Sequence, residues 1–377
     1  MRHAAALCTF LALRTTLRTT LRTTLRTTLR TTLRTTLGAT LGATLGATLG
    51  LLAGATAAKA DAVANFYKGK TVNIVVGHEV GTGFDVYSRV LIRHMGRYIP
   101  GNPNMIVQNM LGASGVTSAN WLYNVAPKDG TVMGTFAQTV PLEPLFGNQM
   151  ARYEASRLVW IGNMESSIAI CGVTKASGIQ SFEDMRKREV LMGATGATGP
   201  LVKSSLAVKN LLGAQIKVIG GYKGSADVKL AMNRGEVQGI CGLPWSTVKS
   251  FWKTELESGE FKPIIQISGE KTSEVGNIPH ARDFIKTDRD RALSGLLFGV
   301  QELGRVYAAP PETPVERVTA LRKAFMDTMS DKDFLSDATK TGIDISAMNG
   351  EVLTRMWAEF ISTPAAIVEE AKKATLP

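Results

Sequence analysis

Three short turns in this chain combine glycine with small hydroxyl side chains, which are residue types suited to gripping an anion. They are Gly81-Thr82-Gly83-Phe84-Asp85, Gly112-Ala113-Ser114-Gly115 and Gly193-Ala194-Thr195-Gly196-Ala197-Thr198-Gly199. Glycine lets a backbone approach a bound molecule closely, and the first amides of a following helix point at it. The hydroxyls of Thr82, Ser114, Thr195 and Thr198 add donors. A carboxylate is the simplest partner for such a donor set. Asp85 would repel an anion and is read instead as a cap for the helix that starts beside it.

Other chemistries lack their signatures. There is no His-Glu-x-x-His, no Gly-x-Ser-x-Gly elbow and no complete Gly-x-x-x-x-Gly-Lys-Ser/Thr phosphate loop. Gly81-Thr82-Gly83 stands between a strand pattern and a helix pattern, as in a dinucleotide fold. Val86, however, occupies the place of the third glycine. No cofactor and no metal is therefore expected, and no catalytic residue is assigned. Three cysteines are too few for a four-cysteine zinc site.

The turns need elements to hold them. Val72–Val76, Met105–Val107, Thr131–Phe136, Val190–Met192, Ile216–Ile219 and Val237–Cys241 are short apolar runs that read as buried strands. Between them lie helix patterns over Phe84–Arg97, Val116–Tyr123, Leu201–Leu212 and Ser225–Arg234. This alternation predicts an α/β fold with parallel sheets covered on both faces. In such sheets the strand-to-helix turns gather at the carboxyl ends of the strands, in one crevice. The C-terminal part reads as helical. Thr313-Pro314-Val315-Glu316 predicts a helix start with Thr313 as N-cap and Pro314 in the first position. Leu353, Met356, Trp357 and Phe360 recur at helical spacing, as a core face does.

The whole chain has 377 residues with a formal net charge of +11; 44% of residues are apolar and 20% charged. That balance fits a folded globular protein and excludes a disordered one. The charge is local. Eight of the 43 basic residues stand in residues 1–60, which hold no acid, so the remaining 35 face 32 acids and leave a net of +3. A body so nearly neutral offers no basic face for nucleic acid. Residues 13–36 are six copies of Leu-Arg-Thr-Thr and 37–48 are three copies of Leu-Gly-Ala-Thr, a period that fits tandem duplication in the coding DNA. The uncharged Leu37–Ala58 stretch ends in small residues, with Ala58-Lys59-Ala60 and Ala60-Asp61-Ala62 as cleavage patterns. Residues 1–60 thus read as a repeat-expanded leader and signal peptide, with an Arg-rich mitochondrial transit peptide as the rival. Leu7 before Cys8 is not the small residue a lipoprotein anchor needs. No later run has 18 uncharged apolar residues, so the exported body is expected not to be membrane-embedded.

Cys171 and Cys241 then lie in an exported body, each inside an Ile-Cys-Gly strand. Two buried thiols and one disulfide both remain open to them.

With these turns the sequence resembles the Bug-type solute receptors of tripartite tricarboxylate transporters, over about residues 66–375. Phe66-Tyr67-Lys68-Gly69-Lys70-Thr71-Val72 is similar to that family's opening strand. Gly81–Asp85 with Arg89 resembles its Gly-Gly-x-x-Asp-x-x-x-Arg segment. Gln108-Asn109-Met110-Leu111-Gly112-Ala113-Ser114-Gly115 resembles its Asn-x-Pro-Gly-Ala-Gly-Gly turn. Ala126-Pro127-Lys128-Asp129-Gly130-Thr131 and Gly221-Tyr222-Lys223-Gly224-Ser225-Ala226 match two further segments, the latter followed by Gly235-Glu236-Val237-Gln238. Departures are Thr82 for the second glycine, Leu111 for the usual proline, His78-Glu79-Val80 before the glycines and Trp245 in the segment after Cys241.

The resemblance implies a two-lobe periplasmic binding protein fold of type II, with a ligand cleft between lobes joined by crossover strands. Lobe one is expected at 66–165 plus 292–377 and lobe two at 166–291. It implies an exported periplasmic receptor that is not an enzyme. Backbone amides and hydroxyls would hold a small organic carboxylate for a membrane permease. The implied ligand-binding set is Gly81, Thr82, Gly83, Ser114, Gly115, Gln138, Thr195, Gly196 and Thr198, with Trp245 placed to stack on an aromatic acid or to pack in the core. A module docking on a signalling partner is the alternative function. An enzyme on the same fold, using His78 or Glu79 as a base, is the third.

Overall fold

Thr71-Val72-Asn73-Ile74-Val75-Val76 is rich in β-branched residues and forms β1, the strand around which the first sheet is assembled. The computed structural model describes residues 61–376 apart from 167, 197, 198 and 270. The leader reading therefore lies outside the described residues, and the fold below is that of the unit Val63–Pro377. β1 leads into α1 (Gly83–Met95), β2 (Asn104–Asn109), α2 (Val116–Asn124) and β3 (Val132–Thr135). Both β2 and β3 run parallel to β1, one on each side. β4 (Val159–Asn163) completes this stretch of chain.

The chain then builds a second sheet. Its elements are β5 (Ala169–Thr174), β6 (Val190–Gly193), α3 (Pro200–Leu212), β7 (Ile216–Ile219), α4 (Ser225–Asn233), β8 (Gly239–Pro244), α5 (Trp245–Phe251) and β9 (Phe261–Gln266). Their order is β7-β6-β8-β5-β9, with β6 parallel to β7 and β8. The chain returns through β10 (Val306–Ala309), α6 (Val315–Met329), β11 (Met348–Asn349), α7 (Gly350–Ile361) and α8 (Ala365–Ala374). The first sheet then reads β11-β4-β10-β3-β1-β2.

The expected parallel pairing holds for the βαβ strands and gives way to antiparallel pairing at defined places. β10 runs antiparallel to both β3 and β4, and β5 runs antiparallel to β8 and β9. The reason is the double passage of the chain. The strand on which the chain enters a sheet from the other lobe, β5 or β10, runs opposite to the βαβ strands it joins, whereas β4 and β9, on which the chain leaves, run with them. The two passages lie side by side. The Met164 amide donates to the Arg305 carbonyl at 3.0 Å, the Gly304 amide donates to the Glu165 carbonyl at 3.1 Å, and Ser166 bridges Leu303 antiparallel. The architecture is thus α/β with two lobes joined by crossover segments.

Helices cover the first sheet with apolar residues on both faces. Trp160 of β4 stacks on Trp357 of α7 at 5.1 Å, and Leu353 of α7 is fully buried beside them. The Leu353–Phe360 stripe is core, as its spacing predicts. Across the sheet, Tyr87 and Leu91 of α1 share a buried cluster with Tyr307 of β10 and Phe325 of α6. The start of α6 differs from expectation by one residue. Pro314 stands in the N-cap position, and the Thr313 hydroxyl turns back to donate to the Pro310 carbonyl at 2.8 Å instead of capping. No described helix is long and apolar enough to cross a membrane.

Cys171 of β5 and Cys241 of β8 are register partners and form a disulfide, with Cα atoms 3.9 Å apart and 70 residues between them in sequence. Closing a loop of that length contributes about 4 kcal/mol on the chain-entropy model. Alkylation without reductant should leave both cysteines unlabelled, and a reductant should lower the thermal midpoint. Two alkylated thiols in the untreated protein would refute the bridge.

Candidate functional site

The carboxyl ends of the parallel strands in both sheets open onto one cavity of about 290 Å3. From the first sheet, Gly77, His78 and Glu79 follow β1, Leu111 to Ser114 follow β2, and Gln138 follows β3. From the second, Thr195 and Gly196 follow β6, Tyr222 to Ser225 follow β7, and Gly242 to Pro244 end β8. This is the crevice that parallel topology places at such ends.

Two close approaches show that the opposing turns meet. A Cβ built on Gly196 would stand 3.0 Å from the Ser114 Oγ, and one on Gly224 would stand 3.6 Å from the Thr82 Cγ2. The Gly112–Gly115 turn presents its backbone under strain. Four consecutive residues have positive φ, of which Ala113 (45°) and Ser114 (54°) carry side chains. Such strain persists only where the surroundings over-determine it.

The first turn is held from behind. The Asp85 carboxylate accepts from the Gly81 amide and the Asn109 amide group at 2.9 and 3.0 Å, and pairs with Arg89 at 2.9 Å. Asn109 also donates to the His78 carbonyl at 2.9 Å, so α1, β2 and the turn are laced together. Burial raises the Asp85 pKa, but the bonds from Arg89, Gly81 and Asn109 outweigh it and hold the carboxyl below its ordinary value. Asp85 is therefore not the N-cap of α1, a position filled by Thr82. It is the third helical residue, and it reaches back to anchor Gly81.

His78 stacks on Phe84, with centroids 4.2 Å apart and planes 10° from parallel. Burial, and then the charge of nearby Arg305, push its pKa down to about 3, so the ring is neutral at physiological pH. A group so weakly basic is poorly matched to proton abstraction near neutrality. Gln138 is buried; its Nε2 donates to the Gln301 Oε1 at 2.6 Å. Its Oε1 has no hydrogen-bond partner among the described residues.

Six of the residues that the sequence singles out therefore line one cavity: Thr82, Gly83, Ser114, Gln138, Thr195 and Gly196. Gly81 and Gly115 stand behind it, the amide of the first tied to Asp85 and that of the second donating to the Gly112 carbonyl at 3.0 Å. Thr198 lies outside the described residues. Of the two readings open for Trp245, the structure takes core packing, and Trp245 is absent from the cavity wall. It is buried in the apolar cluster of the second lobe with Val248 and Trp252, and Pro244 and Thr247 take the wall instead. Sequence reading missed Tyr222, Lys223 and Ser225 as wall residues, although their Tyr-Lys-Gly-Ser motif marks the loop. It also missed Arg305, whose one local signal is a lone arginine directly before the apolar run Val306–Ala309. No group of three or more His, Cys, Asp and Glu able to hold a metal occurs among the described residues.

Two substitutions test this geometry. Asp85→Asn should cost about 1–3 kcal/mol at neutral pH through the lost ionic bonds. Because folding depresses the Asp85 pKa, that contribution is complete above about pH 4 and disappears as pH falls through the depressed value. The gap in thermal midpoint between wild type and variant should shrink accordingly on acidification; a gap independent of pH would contradict the assignment. Gly196→Val should leave the fold intact yet drive a side chain onto Ser114 and close the cleft. Retained ligand binding in that variant would argue against the cavity as the site.

No protein-family profile matches the chain, and no curated protein does. Solved structures do. MatC from Rhodopseudomonas palustris, determined with bound malate, superposes with a TM-score of 0.63 at 18% identity, over 80% of this chain and 99% of that one. The periplasmic binding protein BugD gives 0.63 at 19%, over 82% and 98%. A second R. palustris protein, determined with adipate, gives 0.60 at 17%, over 81% and 97%. These neighbours include the Bug-type proteins that the turn motifs resemble. At such identities the likeness establishes architecture, and the chain has the two-lobe fold of periplasmic solute-binding proteins.

Proposed function

We propose that this protein is an exported solute receptor of the tripartite tricarboxylate type, which closes two lobes over a small organic carboxylate and presents it to a membrane permease. Lobe one comprises 66–165 plus 292–377 and lobe two 166–291, with the signal peptide in residues 1–60 and the mature protein in the periplasm. The observation that carries the reading is the convergence of glycine and hydroxyl turns from opposite sheets on one cavity, with Ser114 facing Gly196. The strained 112–115 turn and the Ser114 and Thr195 hydroxyls supply donors, and Gln138 offers an amide; the Thr82 hydroxyl lines the wall while donating to the Glu79 carbonyl at 2.8 Å. Thr198 belongs to the same set by its place in the third turn.

Each neutral hydrogen bond of this kind contributes about 1 kcal/mol net, and bonds to a charged acceptor about twice that. A handful suffices for micromolar capture. Malate and adipate, the acids held by two of the structural neighbours, indicate the size of ligand. Closure follows from contacts that only the closed arrangement makes with both lobes. The neutral His78, poorly matched to proton abstraction, fits retention of the ligand without conversion.

Titration of the full chain with a panel of aliphatic dicarboxylates and aromatic acids, read by tryptophan fluorescence and thermal shift, tests this. At least one acid should change the emission and raise the midpoint in a saturable way. No response to any member would overturn the reading.

A further inference from the structure

The cavity has a buried cation that neither the turn motifs nor the expected donor set includes. Arg305 stands on the returning crossover segment, is 3% exposed and reaches the cavity wall. Its guanidinium lies over the rings of Phe84 and Tyr87, at 4.6 and 4.9 Å from their centroids, so α1 holds it in place. Gly83 provides the room: a Cβ there would stand 2.7 Å from Nη2. Nη1 donates to the Gly304 carbonyl at 2.7 Å. The nearest carboxylate is that of Glu165 on the outgoing crossover segment, itself 3% exposed, with Oε2 3.6 Å from Nε. That separation is too long for a hydrogen bond. Nε and Oε2 both lack hydrogen-bond partners among the described residues.

A buried guanidinium is costly unless its donors are used. Here the charge is balanced at a distance by Glu165, while much of the five-donor fork is left uncommitted. The other charged side chains on the wall are Glu79, half-buried, and Lys223, exposed. The deep positive charge is therefore that of Arg305, next to the turns that supply neutral donors.

We propose that Arg305 is the anion anchor of the cleft and binds the carboxylate of the captured acid through its free N–H donors. The inference rests on the carboxylate reading above and extends it from a neutral donor set to a charged one. It follows that the receptor prefers an acid to its own primary amide far more strongly than backbone amides alone would require. Glu165 keeps the guanidinium neutralised in place when no acid is bound, and Phe84 and Tyr87 fix its plane. Because Arg305 and Glu165 stand on the two segments that join the lobes, the anchored acid sits against the crossover.

The test uses the full chain, with succinate, adipate and benzoate as probes, each paired with its primary amide, by isothermal titration calorimetry. Arg305→Gln combined with Glu165→Gln removes both buried charges together, which spares the variant an unpaired carboxylate. It should bind the best acid at least about 30-fold more weakly while its affinity for the amide changes less than threefold. Arg305→Lys keeps the charge and loses the fork; it should weaken the acid about tenfold, and it decides the matter if the double variant does not fold. An unchanged acid affinity in a folded variant, with wild type binding normally, overturns the role of Arg305 and leaves the receptor reading standing. A wild-type protein that binds none of the three acids overturns both.

Discussion

The whole arrangement depends on the pairing of two chain passages between the sheets. Segments 164–166 and 303–305 are held together by reciprocal backbone hydrogen bonds, and Asn163 adds a third through its side chain, whose Oδ1 accepts from the Arg305 amide at 2.8 Å. Buried backbone groups must find partners, and here each passage supplies them for the other. The consequence is geometric. Once the passages run side by side, the carboxyl ends of β1–β3 and of β6–β8 face each other, and turns more than 80 residues apart in sequence share one cavity.

Polar contacts that span the two sheets' helices and loops add to this. Lys203 of α3 pairs with Glu143 at 2.5 Å, both largely buried, and lies over Phe146 at 4.6 Å. Gln301 accepts from Gln138 and donates to the Ser204 hydroxyl at 3.4 Å, linking the loop after β3 to α3. Such pairs contribute little net stability against well-packed apolar substitutes. Their effect is on geometry, because a misplaced lobe would leave each of these groups buried without its partner.

Much of the fold was legible because strand and helix periods are local properties. β1, α1, α3 and α4 fall within one or two residues of their predicted spans, and the Leu353–Phe360 stripe is buried as its spacing requires. What was not legible depended on partners far away. Thr313 capped nothing because the Pro310 carbonyl was within reach of its hydroxyl. The antiparallel strands β5 and β10 look, as sequence, like any other short apolar run; their sense is set by the chain's entry from the other sheet.

The site divides in the same way. Sequence by itself determined the supply of groups: three glycine and hydroxyl turns, each between a strand and a helix, and no recognised catalytic signature. That reading needs only residue types and the neighbours along the chain. Tertiary structure decided which of those groups face the cavity. It put Gly81 and Gly115 behind the wall, turned Trp245 into the core, and brought Arg305 over Phe84, 221 positions earlier in the chain. The reason is that a side chain's direction is fixed by packing against residues distant in sequence, and a local pattern holds no record of which distant residues those will be.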